Sequence, residues 1–81
     1  MKYKIELLKE AYNNRSIDII IDSATEKGED YKALLFGGFI KEVEMPYNVL
    51  PFRDKRGKLH QSKSVLITKK GLEAMYEDKI A

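Results

Sequence analysis

Apolar and polar positions recur along this chain with two periods, and each period predicts an element. Over residues 2–13, Ile5, Leu8 and Tyr12 fall at i, i+3 and i+7, Leu7 and Ala11 widen the stripe, and Lys4, Lys9 and Glu10 lie outside it. That spacing predicts an amphipathic helix closed at Asn13-Asn14, because asparagine tolerates the left-handed backbone that helix ends use. Ser16 is a candidate N-cap for a second helix. There Ile17, Ile20, Ile21 and Ala24 repeat at helical spacing, with Asp18, Asp22 and Glu26 on the opposite stripe and Gly28 as its break. The β-branched run Ile19-Ile20-Ile21 also suits a strand, which leaves room for a short one at Ser16 to Asp18. Tyr31, Leu34 and Leu35 predict a third helix over 29–37, ended by Gly37-Gly38.

After the glycine pair the period changes to two. Phe39, Val43 and Met45 share one parity and Glu42 and Glu44 the other, which predicts a strand. Pro46 and Pro51 lack amide donors, so they fit only a sheet edge or a bulge. Asp54-Lys55-Arg56-Gly57 has Asp first and Gly last, as a four-residue turn prefers, and residues 64–68 predict the returning strand. A register with Arg53 opposite Lys58 sets Phe52 against Leu59, Met45 against Leu66 and Val43 against Thr68. The apolar partners then match along one long hairpin. Thr68 caps a last helix with Leu72, Met75 and Tyr76 on its inner face.

Composition bounds this picture. With 81 residues, 43% hydrophobic and 35% charged, the chain makes one domain, 1–81, with a thin core. The absence of cysteine excludes a disulfide framework and thiolate metal sites. No run of about 18 apolar residues exists to span a membrane. Met1-Lys2-Tyr3-Lys4 leads into an amphipathic pattern rather than a signal-peptide core, so the expected location is cytoplasmic. The net charge of +2 is uninformative, but its distribution is not. Residues 1–52 carry seven basic and nine acidic side chains, residues 71–81 one and three. Residues 53–70 carry seven basic side chains against Asp54 alone. Such a segment steers polyanions through its local field.

Helix, helix, helix, strand, basic turn, strand, helix is the order of a winged helix-turn-helix, an α+β fold with a β-hairpin wing and a short C-terminal helix. Leu34-Leu35-Phe36-Gly37-Gly38-Phe39-Ile40 resembles a recognition helix turning through glycine into the first wing strand. Val65-Leu66-Ile67-Thr68-Lys69-Lys70-Gly71-Leu72 resembles the leucine-threonine-x-x-glycine close of the wing in MarR-like, PadR-like and phage YjcQ-like proteins, with Ile67 in place of the leucine. The resemblance implies a small transcriptional regulator on double-stranded DNA, of phage or other mobile-element origin, with its third helix in the major groove and its wing on the backbone or minor groove.

On that reading Lys27, Lys32, Arg53, Lys55, Arg56, Lys58 and Lys63 contact phosphate. Arg53 or Arg56 enters the minor groove, Lys32 faces the major groove, and Asn13, Asn14 and Arg15 reach the backbone. Arg53 opposite Lys58 repels without a partner and so favours an anionic one. Glu26, Glu29 and Asp30 make the start of the recognition helix acidic, which opposes DNA. A second reading follows, that of a winged-helix protein-interaction module, an anti-repressor or inhibitor of a host protein, docking through Asp18, Asp22 and Glu26. Neither reading is an enzyme. His60 is alone, with no second histidine, no cysteine and no paired acid expected beside it, and Ser62 and Ser64 merely share its strand face. Gly37-Gly38 lacks a phosphate-loop context, and no cofactor or metal is expected. Tyr47 and Phe52 are expected to pack under the wing, with stacking on a base or sugar as the alternative. Tyr3, Tyr12, Tyr31 and Tyr76 are expected in the core or at its rim. Leu72, Met75, Tyr76 and Ile80 offer a seam for a weak dimer, so the chain is expected to be a monomer or weak homodimer.

Overall fold

A computed structural model describes residues 2–44 and 50–80, with side chains as far as Glu77. The elements are α1 (Lys4–Asn14), β1 (Ser16–Ile20), α2 (Glu26–Phe36), β2 (Ile40–Glu42), β3 (Phe52–Arg53), β4 (Leu59–Ile67) and α3 (Lys69–Ile80). The fold is α+β, as the sequence indicates. Its order is not, because only two helices precede the hairpin and a strand stands between them. β4 is the central strand, antiparallel to β1 along one side and to both β2 and β3 along the other.

The segment expected as a second helix is where sequence and structure part. Ser16 does not cap a helix; it opens β1, paired with Ser64 of β4. Isoleucines on both parities of 17–21 satisfy a helical stripe and a strand equally, and the sheet decides between them by burying Ile17. The next helix starts ten residues later. Thr25 caps it, its Oγ1 accepting from the Gly28 amide at 3.0 Å, so Gly28 lies inside the first turn instead of breaking a helix. The expected third helix is thus the later part of α2. Asp18, Asp22 and Glu26 belong to a strand, a connection and a helix, and share no helical stripe. At the end of α1 the left-handed residue is Arg15, at φ 55°, not an asparagine.

The hairpin differs in register. Gly57 is left-handed at φ 81°, the Asp54 amide donates to the Lys58 carbonyl at 2.9 Å, and the Gly57 amide donates to Asp54 at 3.0 Å. This is a three-residue loop closed by a glycine bulge, one residue tighter than a four-residue turn. Arg53 therefore faces Leu59, and Phe52 faces His60 rather than Leu59. A slip of one residue changes which side chains share a face. Farther along, Ile40 faces Ile67, Lys41 faces Leu66 and Glu42 faces Val65, so Val43 is not opposite Thr68; its amide donates to Ser64. From Glu42 to Phe52 one strand advances ten residues while β4 advances only five, from Val65 to His60. Pro51 lies in this surplus, and Met45, Pro46 and Tyr47 are outside the described residues.

The core is Leu7, Leu8 and Ala11 of α1, Ile17 of β1, Tyr31 and Leu34 of α2, Ile40 of β2, Val65 of β4 and Met75 of α3. β3 contributes nothing to it. The molecule measures 39 × 28 × 20 Å. Tyr31 and the half-buried Tyr3 meet the expectation for tyrosines, whereas Tyr12 and Tyr76 are exposed. Tyr76 therefore does not face inward, and Ile80 lies beyond the described side chains. Among the described residues no helix is long and apolar enough to cross a membrane.

Thr68 and Gly71 close the fold at the other end. The Thr68 hydroxyl donates toward the Gly38 carbonyl at 2.6 Å and lies 3.0 Å from that of Phe39, while accepting from the Gly71 amide at 3.2 Å as the cap of α3. A Cβ on Gly71 would stand 2.1 Å from the Phe39 carbonyl oxygen, so only glycine lets α3 approach this closely.

Candidate nucleic-acid interface

The basic hairpin is shaped by its one acid. Asp54 Oδ1 accepts from the Arg56 amide at 2.8 Å and the Lys58 amide at 3.0 Å, and Oδ2 lies 2.6 Å from His60 Nε2. These are charge-assisted bonds to a turn carboxylate, and they fix the loop backbone. The His60 bond, then the two amides, hold Asp54 below its ordinary carboxylate range. Asp54 is therefore used within its own turn. Lys55, Arg56 and Lys58 are exposed, and none has a carboxylate partner among the described residues. Arg53 is partly spent: its guanidinium donates to the Gly57 carbonyl at 2.9 Å and reaches Asp22 at 3.5 Å.

His60 is gripped from two sides. Nδ1 is 3.3 Å from Asp18 Oδ2 on β1, and Nε2 is held by Asp54. Its pKa is raised, mainly by the Asp54 bond and further by the Asp18 charge, against the opposing effect of burial. Phe52 stacks on the imidazole with ring centroids 5.0 Å apart and planes within 13°, and the residue is 50% exposed. Phe52 therefore does not pack beneath the wing. It lies on the sheet face opposite Ile17, Lys63 and Val65, beside His60, Ile20 and Ser62.

The other residues expected at DNA are not gathered with the tip. Lys27 is paired with Glu10 at 3.4 Å and Lys32 with Glu29 at 3.8 Å, both on α2. Lys63 is half-buried on the opposite sheet face, where it lines a cleft of about 540 Å³ with Ile19, Tyr31, Leu35 and Glu42. In that cleft the Tyr31 hydroxyl donates to Glu42 at 2.5 Å, and burial followed by this bond pushes its pKa up. The acids expected to dock a protein each face a basic side chain instead: Asp18 faces the His60 imidazole, Asp22 faces Arg53, and Glu26 faces Lys2 at 3.9 Å. Asp30 accepts from the Tyr3 amide at 2.8 Å and so ties α2 to the start of α1. Asn13 and Asn14 end α1 on the surface, and the Arg15 carbonyl is taken by the Val65 amide.

Sequence reasoning located the cationic loop but missed the Asp18–His60–Asp54 clamp. The signal was present in strand parity, since two acids and a histidine converge only once residues 16–20 lie beside β4. Among the described residues no group of three or more His, Cys, Asp or Glu side chains is arranged to hold a metal ion. No protein-family model, curated protein or solved structure matches the chain.

Proposed function

We propose that the chain is a small double-stranded DNA-binding regulator of the winged-helix kind, in which the 53–58 hairpin does most of the binding. The observation that carries this reading is the commitment of Asp54 to its own turn, which leaves Lys55, Arg56 and Lys58 as a cationic tip whose side chains have no carboxylate partner among the described residues. α2 contributes less than the family resemblance implies, because Lys27 and Lys32 face Glu10 and Glu29. Contact is then mainly to phosphate, weakly selective for sequence and strongly dependent on salt. Replacing Lys55, Arg56 and Lys58 together with alanine is expected to weaken duplex binding by more than about tenfold near 0.1 M salt. It should also reduce the slope of log K against log salt by about 3 in magnitude. The melting temperature should stay unchanged, since the three side chains are exposed and have no ion-pair partner among the described residues. Fluorescence anisotropy across a salt series measures both quantities, and an unaltered slope overturns the assignment.

The second reading, a module that docks on a protein, is favoured by one observation: Phe36, at the end of α2, is 87% exposed. A stoichiometric protein complex that forms equally with the triple-alanine variant, without retention of duplex DNA, would select that reading.

A further inference from the structure

We infer that Phe52, backed by His60, is a stacking site for an unpaired nucleobase beside the cationic tip. This rests on the reading that the hairpin meets nucleic acid, and it adds the kind of nucleic acid preferred.

The geometry follows from the loop. Because Gly57 shortens the turn, Phe52 is carried across from His60 on the face away from the helices. One face of its ring covers the imidazole, yet half of the residue remains exposed, and Phe52 does not belong to the core cluster. The ring is also held in place. His60 is fixed by Asp18 at one nitrogen and Asp54 at the other, so the surface on which Phe52 rests is set before anything binds. A preorganised flat group loses little freedom on contact. With both ring nitrogens engaged, His60 has no donor left for a ligand, and it acts as a positioning residue for the phenyl ring.

A half-exposed flat ring beside a loop with three exposed cations that have no carboxylate partner among the described residues matches the two parts of a nucleotide. The π-face takes a base of any identity, and the cations take the phosphates on either side. The carboxylates of Asp18 and Asp54 sit at the imidazole edge, Asp54 bonded to His60 and the turn amides and Asp18 facing His60 through Oδ2. In an intact duplex both faces of each base are already stacked. The site therefore draws on a base that is free, in a tail, gap or bubble, and a duplex carrying such a segment binds more tightly than a blunt one.

The experiment uses the full chain and three probes: a blunt duplex, the same duplex with a short thymine tail, and the same duplex with an abasic tail of equal length. The thymine tail is expected to raise affinity about fivefold or more over the abasic tail, the gain that one base–aromatic stack supplies. Phe52→Ala should abolish that gain without changing the blunt-duplex affinity or its salt slope, and Phe52→Trp should keep it. The triple-alanine tip variant should weaken all three probes together and retain the ratio between tails. Equal affinity of wild type for the two tails, or a gain that survives Phe52→Ala, overturns the stacking site while leaving phosphate binding intact. Loss of every probe by wild type overturns both readings together.

Discussion

Phe39 and Phe52 are both aromatic residues beside cations along the same flank of β4, and their surroundings differ completely. Phe39 has the Lys4 ammonium 4.9 Å and the Lys70 ammonium 4.6 Å from its ring centroid. Lys70 also donates to the Gly37 carbonyl at 2.8 Å, and the Phe39 carbonyl accepts from the Thr68 amide at 3.0 Å. Ring, ammonium and carbonyl are all consumed within the fold. Around Phe52 the internal partners run out: one ring face is covered by His60, and the tip cations have none among the described residues. An aromatic beside basic residues thus means nothing by itself. It marks a structural clasp where the fold takes up both groups, and a candidate binding site where it leaves both open.

The sharpest way to break this contrast is to place the same substitution at both ends. Gly71→Ala drives a methyl group into the Phe39 carbonyl and should destabilise the protein by about 3 kcal/mol, enough to unfold much of a domain this small. Gly57→Ala meets no atom within 4 Å and carries only the strain of its left-handed backbone, about 1 kcal/mol. Urea titration measures both, and equal losses would erase the distinction. A smaller effect is expected at Thr68. Thr68→Ala removes the cap and the bonds to the 38 and 39 carbonyls and should cost about 1–2 kcal/mol, whereas Thr68→Ser retains most of it.

The smallest expected effect is a dependence on pH confined to the hairpin. The pKa of His60 is raised, so its contribution is complete below the ordinary value of 6.5 and is lost as pH climbs through the folded value. The pKa of Asp54 is lowered, so its contribution is complete above 3.8 and is lost as pH falls through the folded value. Protection of the Arg56 and Lys58 amides against exchange, corrected for intrinsic rates, should therefore be greatest between pH 3.8 and 6.5. His60→Ala should remove the alkaline decline. The Thr68 clasp, built from a hydroxyl, amides and carbonyls, should show neither limb.

Much of the fold can be read from local chemistry. The turn acid and glycine, the glycine that ends α2, the threonine cap and the cationic loop each act through neighbours in sequence. What could not be read depends on distant partners. Residues 17–21 satisfy two periodicities, and only the pairing of Ile17 with Lys63 and Ile19 with Gln61 settles 17–20 as part of a strand. The register turned on one left-handed glycine, and with it the surroundings of Phe52. Gly71 is required by a carbonyl at Phe39, and nothing nearby in the chain announces that contact. The candidate site suffered most, because Asp18, Phe52 and His60 come together through three separate segments.

The position of β1 has a further consequence. Among the described residues it borders β4 alone, so its second side is an open template to which a foreign chain could add by hydrogen bonding. The left-handed Arg15 bends the backbone away at one end and the connection to α2 leaves the sheet at the other, limiting that template to five residues. Brevity is itself a safeguard against edge-to-edge aggregation, and lengthening β1 by straightening the chain at Arg15 would remove it.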